Sequence, residues 1–136
     1  MKEIENFSGS LRVLEKADFT LTDRDDIYRT GIIEQCDLTF ELAWKALQKV
    51  LTLRGVSDAK TKTPLEILQL GCNEGLIRDP KIWRTMLENR GLSVLLGSRE
   101  KIDERILLIR DRFIPAFTDL EETLVGKLSE AEQLHI

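Results

Sequence analysis

The sequence predicts an all-α protein, an up-and-down bundle of five or six helices that pairs into a dimer. Three observations predict the bundle. Apolar residues recur at spacings of three and four along nearly the whole chain. The alternation of a half-buried strand is almost absent. Start and stop signals fall at intervals that suit helices. The 136 residues suit one domain, residues 1–136, with one core.

The first helix is expected from Ile4 to Ala17, with Ile4, Phe7, Leu11 and Leu14 on one stripe. A loop, Asp18 to Leu21, follows. Thr22 or Asp23 then suits the N-cap of a second helix, and Asp25 and Asp26 complement its positive end. That helix is expected from Asp23 to Arg54, stopped by Gly55, with Gly31 as a weak point inside it. At 1.5 Å per residue it spans roughly 48 Å. Cys36, Phe40, Ala43 and Leu47 form one apolar stripe, and Leu38 and Leu42 form another. A helix apolar on more than one side belongs at the centre of a bundle or against a partner subunit.

Thr63-Pro64-Leu65-Glu66 carries a capping box and a first-turn proline, so a third helix starts there and ends near Gly75. Asp79-Pro80 starts a fourth, with Ile82, Trp83, Met86 and Leu87, which should stop at Arg90-Gly91. Ser98 caps a fifth, with Ile102, Ile106, Ile109 and Phe113 on one face. Pro115 should kink or restart it, because proline has no amide donor and crowds the preceding turn. A last segment, Ala116 to Leu128, carries Phe117, Leu120 and Leu124.

Composition excludes several classes of function. Hydrophobic residues make up 42% and charged residues 32%, and no apolar run approaches the ~18 residues of a membrane span. The N-terminus lacks a signal-peptide core, which predicts a cytoplasmic protein with Cys36 and Cys72 as reduced core thiols. A net charge of −4 argues against broad binding of nucleic acid, though not against one local phosphate site. His135 is the only histidine and lies beside the C-terminus. The expectation is therefore no metal site, no cofactor and no Ser-His-Asp triad.

Three polar groups need an account. Glu34, Asp37, Glu41 and Lys45 lie on the long helix, and Glu41 and Lys45 are spaced to pair. They form either a solvated face or, among Phe40, Leu42 and Trp44, charges that seek a ligand or a subunit. Trp44 and Trp83 are expected as core anchors, though either indole can border a pocket. Arg84 and Glu88 are spaced as a helical pair, and Arg90 suits a helix C-terminus with Gly91 as its positive-φ stop.

Gly31, Ile33 and the string Phe40-Glu41-Leu42-Ala43-Trp44-Lys45 carry a resemblance. So do Gly75, Leu76, Ile77, Asp79, Trp83, Met86, Leu87, Glu88 and Arg90. Together they resemble the nucleotidyltransferase substrate-binding protein family, within the HEPN superfamily of small helical bundles. The resemblance runs from Asn6-Phe7 through Pro115. It implies a bundle that pairs into a homodimer. It also implies a partner, a minimal nucleotidyltransferase encoded nearby, which carries the catalytic carboxylates.

Many HEPN proteins place a histidine a few residues after an arginine and act as metal-independent ribonucleases, toxins neutralised by the transferase. In such a pair the imidazole moves a proton and the arginine holds the phosphate. Here Leu95 stands at the histidine position, Gly91 replaces the family's asparagine and Gly97 its tyrosine. Leucine transfers no proton, and Ser93 is an unactivated hydroxyl. The expectation is thus a non-catalytic subunit that binds substrate or regulates the transferase. The alternatives are a degenerate ribonuclease toxin and a purely structural dimerisation module. The residues expected to bind substrate are Glu41, Trp44, Lys45, Glu88 and Arg90. Lys45 and Arg90 would meet the phosphate of a nucleotide or other phosphate-containing ligand, and Trp44 a base or an apolar surface.

Overall fold

The computed structural model describes residues 1–92 and 98–134, with side-chain surroundings through residue 130. Ser93, Leu95, Gly97 and His135 lie outside the residues or side chains so described. The described residues form six α-helices and no strand: α1 (Lys2–Glu15), α2 (Asp26–Leu53), α3 (Pro64–Asn73), α4 (Pro80–Asn89), α5 (Arg99–Leu108) and α6 (Ile114–Leu134). A 3-10 turn, Ala59–Thr61, precedes α3. Since α5 and α6 are joined through one widened turn, the six helices make five rods, a helical bundle as expected.

The helix starts read from sequence recur in the structure. Thr63 and Glu66 form the reciprocal capping box of α3. Asp79 caps α4 and Ser98 caps α5 through their side chains. The expected stops Gly55, Gly75 and Gly91 have φ of +79°, +73° and +74°. The start of α2 differs from expectation. Asp25 is its N-cap, accepting from the Tyr28 amide at 3.0 Å, and neither Thr22 nor Asp23 serves. Thr22 is instead buried, and its hydroxyl donates to the Phe19 carbonyl at 2.9 Å. Residues 18–25 spend their backbone groups on tight turns, so the helix begins later.

Gly31 does not interrupt α2, which is continuous over 28 residues and packs against all five other helices. Tertiary contact along its length outweighs the modest helix penalty of one glycine. At Pro115, where a kink or restart is expected, a π-turn, Ile109–Phe113, comes just before, in which the Ile114 amide donates to the Ile109 carbonyl, and α6 starts anew at Ile114. The wider turn accommodates the missing proline donor without ending the rod.

All four stripe residues of α1 are buried, as are Cys36, Phe40, Ala43 and Leu47 of α2 and Phe113, Phe117, Leu120 and Leu124 near the end of the chain. Phe7, Phe117, Trp83 and Phe40 make an aromatic chain with centroid separations of 6.1, 5.5 and 6.1 Å. Gly71 lets α3 approach α2 closely: a Cβ there would fall 2.9 Å from Leu47 Cδ2. Polar groups also fix neighbours. Ser10 and Thr39 share a buried hydrogen bond of 2.7 Å between α1 and α2. Buried Arg29 of α2 pairs with Asp26 and reaches Asp103 of α5 at 3.1 Å. The second stripe of α2 is covered only in part: Leu42 packs partly buried against the core, whereas Leu38 is 49% exposed and Ile27, on the same side as Leu38, is 86% exposed.

Candidate functional site

Glu34, Asp37 and Glu41 follow one another on one side of α2 at helical spacing, and the C-terminal end of α4 faces them. Arg90 arrives there because α4 ends on it. Its amide donates to the Met86 carbonyl at 3.0 Å while its own backbone turns extended, and Gly91 then takes a positive φ. The chain reverses, and the Arg90 side chain falls against α2.

The Arg90 guanidinium donates to Glu41 and lies 5.8 Å from the centroid of the Phe40 ring. The second oxygen of Glu41 accepts the Trp44 indole N–H at 2.8 Å. One carboxylate thus engages both an arginine and a tryptophan. Beside it, Arg105 of α5 donates one nitrogen to both oxygens of Asp37, at 2.9 and 3.2 Å. Its other nitrogen donates to the Leu92 carbonyl at 3.1 Å, and the Gly91 amide donates to Asp37 at 3.4 Å. Arg105 therefore fastens the turn after α4 to α2 and α5 together. Burial pushes the Asp37 carboxyl above its usual value, and Arg105 opposes the shift.

These residues border an open cavity of about 380 Å³, lined by Glu34, Asp37, Leu38, Glu41, Arg90 and Gly91. Its lining carries three carboxylates and one arginine, and that arginine is already engaged by Glu41. A phosphate entering here would have to draw Arg90 from Glu41 and face two further carboxylates. The cavity complements N–H and O–H donors, or an amine, better than a phosphate. This departs from the phosphate contact expected of Arg90.

Of the five residues predicted to bind substrate, the structure joins Glu41, Trp44 and Arg90. Lys45 is exposed and, among the described residues, has no ion-pair partner, because Glu41 is taken by Arg90. Glu88 is also exposed, and its expected pairing with Arg84 does not form. Arg84 instead lines a separate groove between α3 and α4. Trp83 is the expected core anchor at 3% exposure, whereas Trp44 is only half-buried. Cys36 is buried in the core, but Cys72 is half-buried and lines the α3–α4 groove. Among the described residues, no group of three or more His, Cys, Asp or Glu residues is placed to hold a metal ion. No helix there is long and apolar enough to cross a membrane.

Sequence reasoning passed over Arg105. It lies at the edge of the Ile102, Ile106, Ile109 stripe, which is the one local sign that it can reach a neighbouring helix. Its partner is 68 positions away, beyond any spacing rule.

The family described as "Nucleotidyltransferase substrate binding protein like" matches residues 2–126. No curated protein matches the chain.

Proposed function

This chain belongs to the nucleotidyltransferase substrate-binding protein family, and on that premise we propose that it is a non-catalytic subunit of a separately encoded minimal nucleotidyltransferase. The observation that carries the reading is the family match over nearly the whole chain. The cavity beside Glu41, Trp44 and Arg90 is the surface that receives the substrate, by offering acceptors to its hydroxyl or amino groups. Transfer chemistry belongs to the partner. Leu95 stands where the ribonuclease motif has its histidine, so this chain holds no proton-transfer group at that position. The exposed apolar side of α2, with Ile27 and Leu38, supports a second copy of the chain as a further partner.

The test is co-expression with a minimal nucleotidyltransferase from the same genome. The expected result is a complex that survives gel filtration and a transferase whose activity rises when the subunit is present. Exchanging the pair, Glu41→Arg with Arg90→Glu, keeps an ion pair and the cavity's net charge but moves the carboxylate off α2 and removes the acceptor of the Trp44 indole. It should leave the fold intact and cut the stimulation about tenfold, equivalent to ~1.4 kcal/mol. A transferase that neither binds the subunit nor changes its rate would sink the proposal.

A further inference from the structure

On the other side of α4 lies a groove of about 320 Å³ that the proposed function does not use. Leu65, Leu68 and Cys72 line it from α3, at positions that share one helix face. From α4 come Trp83, at the floor, and Lys81 and Arg84, both exposed. No carboxylate lines this groove. Among the described residues neither Lys81 nor Arg84 forms an ion pair, although the chain carries 24 acidic side chains against 20 basic ones. A concave apolar surface edged by two uncompensated cations, in a protein of net negative charge, is complementary to an amphiphilic anion.

The geometry points to a second ligand site, in which the α3–α4 groove takes a small organic anion. Its apolar body, an aromatic ring or short chain, lies against Leu65, Leu68 and Trp83. Its phosphate, sulfonate or carboxylate sits between Lys81 and Arg84. The volume is at the small end of the ~300–1,000 Å³ typical of ligand pockets, which suits one ring system with one charged group. The site is independent of the acidic cavity: it shares no lining residue with it and needs no transferase.

Cys72 supplies the readout. Its thiol lines the groove, while Cys36 is buried in the core. Burial holds the Cys72 thiol above its usual value, so alkylation with N-ethylmaleimide is followed at mildly alkaline pH on the intact protein. Three probes of one shape are compared: naphthalene-2-sulfonate, 2-naphthylmethanol and 2-naphthylmethylammonium. The anion should slow Cys72 alkylation most, the alcohol less and the cation least. Added salt should weaken protection by the anion but not by the alcohol. In the variant Lys81→Glu with Arg84→Glu, anion protection should fall about tenfold while alcohol protection persists. Equal protection by anion and alcohol would overturn the charge assignment and leave only an apolar groove. No protection by any probe at millimolar concentration would overturn the site.

Discussion

The two cavities that flank α4 are similar in size, about 380 and 320 Å³, and opposite in the charges that line them. On the α2 side both arginines at the cavity have an acidic partner, Arg90 with Glu41 and Arg105 with Asp37. On the α3 side the two cations face no carboxylate in the groove. The paired side joins α2, α4 and α5, whereas the unpaired side joins nothing through its charges. An arginine in a cavity is therefore a weak sign of an anion site when a neighbouring carboxylate already holds it. Trp83 packs on Phe40 and Phe117 in the core and lines the α3–α4 groove, not the acidic cavity.

The largest expected effect follows from that core position. Trp83→Ala removes a side chain that is 3% exposed and touches both aromatic neighbours. It should cost about 3–5 kcal/mol in denaturant unfolding, as large aromatic truncations in cores do. A loss below about 1 kcal/mol would show that the floor of the α3–α4 groove is not a core element.

A smaller effect separates the two ion pairs of the acidic side. The Arg105–Asp37 side chains are 11% and 24% exposed, against 32% and 37% for Arg90–Glu41. Arg105→Ala strands a largely buried carboxylate and a carbonyl, so it should cost about 1–3 kcal/mol. Arg90→Ala acts on a solvent-screened pair and should cost less than about 1 kcal/mol. Unfolding midpoints of the two variants, compared at equal slope, test the order. If Arg90→Ala is the more destabilising, Arg90 is the structural clamp and Arg105 is not.

This contrast also marks what the sequence made legible. Stripes such as Ile4-Phe7-Leu11-Leu14 and the capping box at Thr63 and Glu66 depend on residues within one or two turns, so spacing reveals them. The start of α2 is not legible in this way, because three residues able to cap, Thr22, Asp23 and Asp25, lie within one turn and only Asp25 does so. Part of the candidate site was visible: Glu41, Trp44 and Arg90 were all named from sequence and meet in space. Which carboxylate each arginine chooses was not. Glu41 had Lys45 one turn away yet pairs with Arg90, 49 positions on, and Arg105 crosses 68 positions to Asp37. A helical spacing rule scores only neighbours on the same helix, and these pairings are decided by how α2, α4 and α5 pack.

The smallest effect is a titration, and it sharpens the reading of the paired side. Asp37 carries a carboxyl pushed above its usual 3.8, by burial first, with Arg105 pulling it back down. In the folded state the protonated form is favoured relative to the unfolded chain. This group's contribution to stability is therefore full below pH 3.8 and is lost as pH rises through the raised folded value. The capping carboxylate Glu66 behaves oppositely. Bonds from Thr63 lower it from 4.5, so its contribution is full above that value and fades as pH falls through the lowered folded value. Carboxyl carbon shifts followed by NMR through the acid range should place Asp37 above 3.8 and Glu66 below 4.5. In Arg105→Gln the Asp37 midpoint should climb further while Glu66 stays put, because the guanidinium is the main group opposing burial. An Asp37 midpoint that does not move when Arg105 is replaced would mean that the Arg105–Asp37 pair is too well screened to hold α5 against α2.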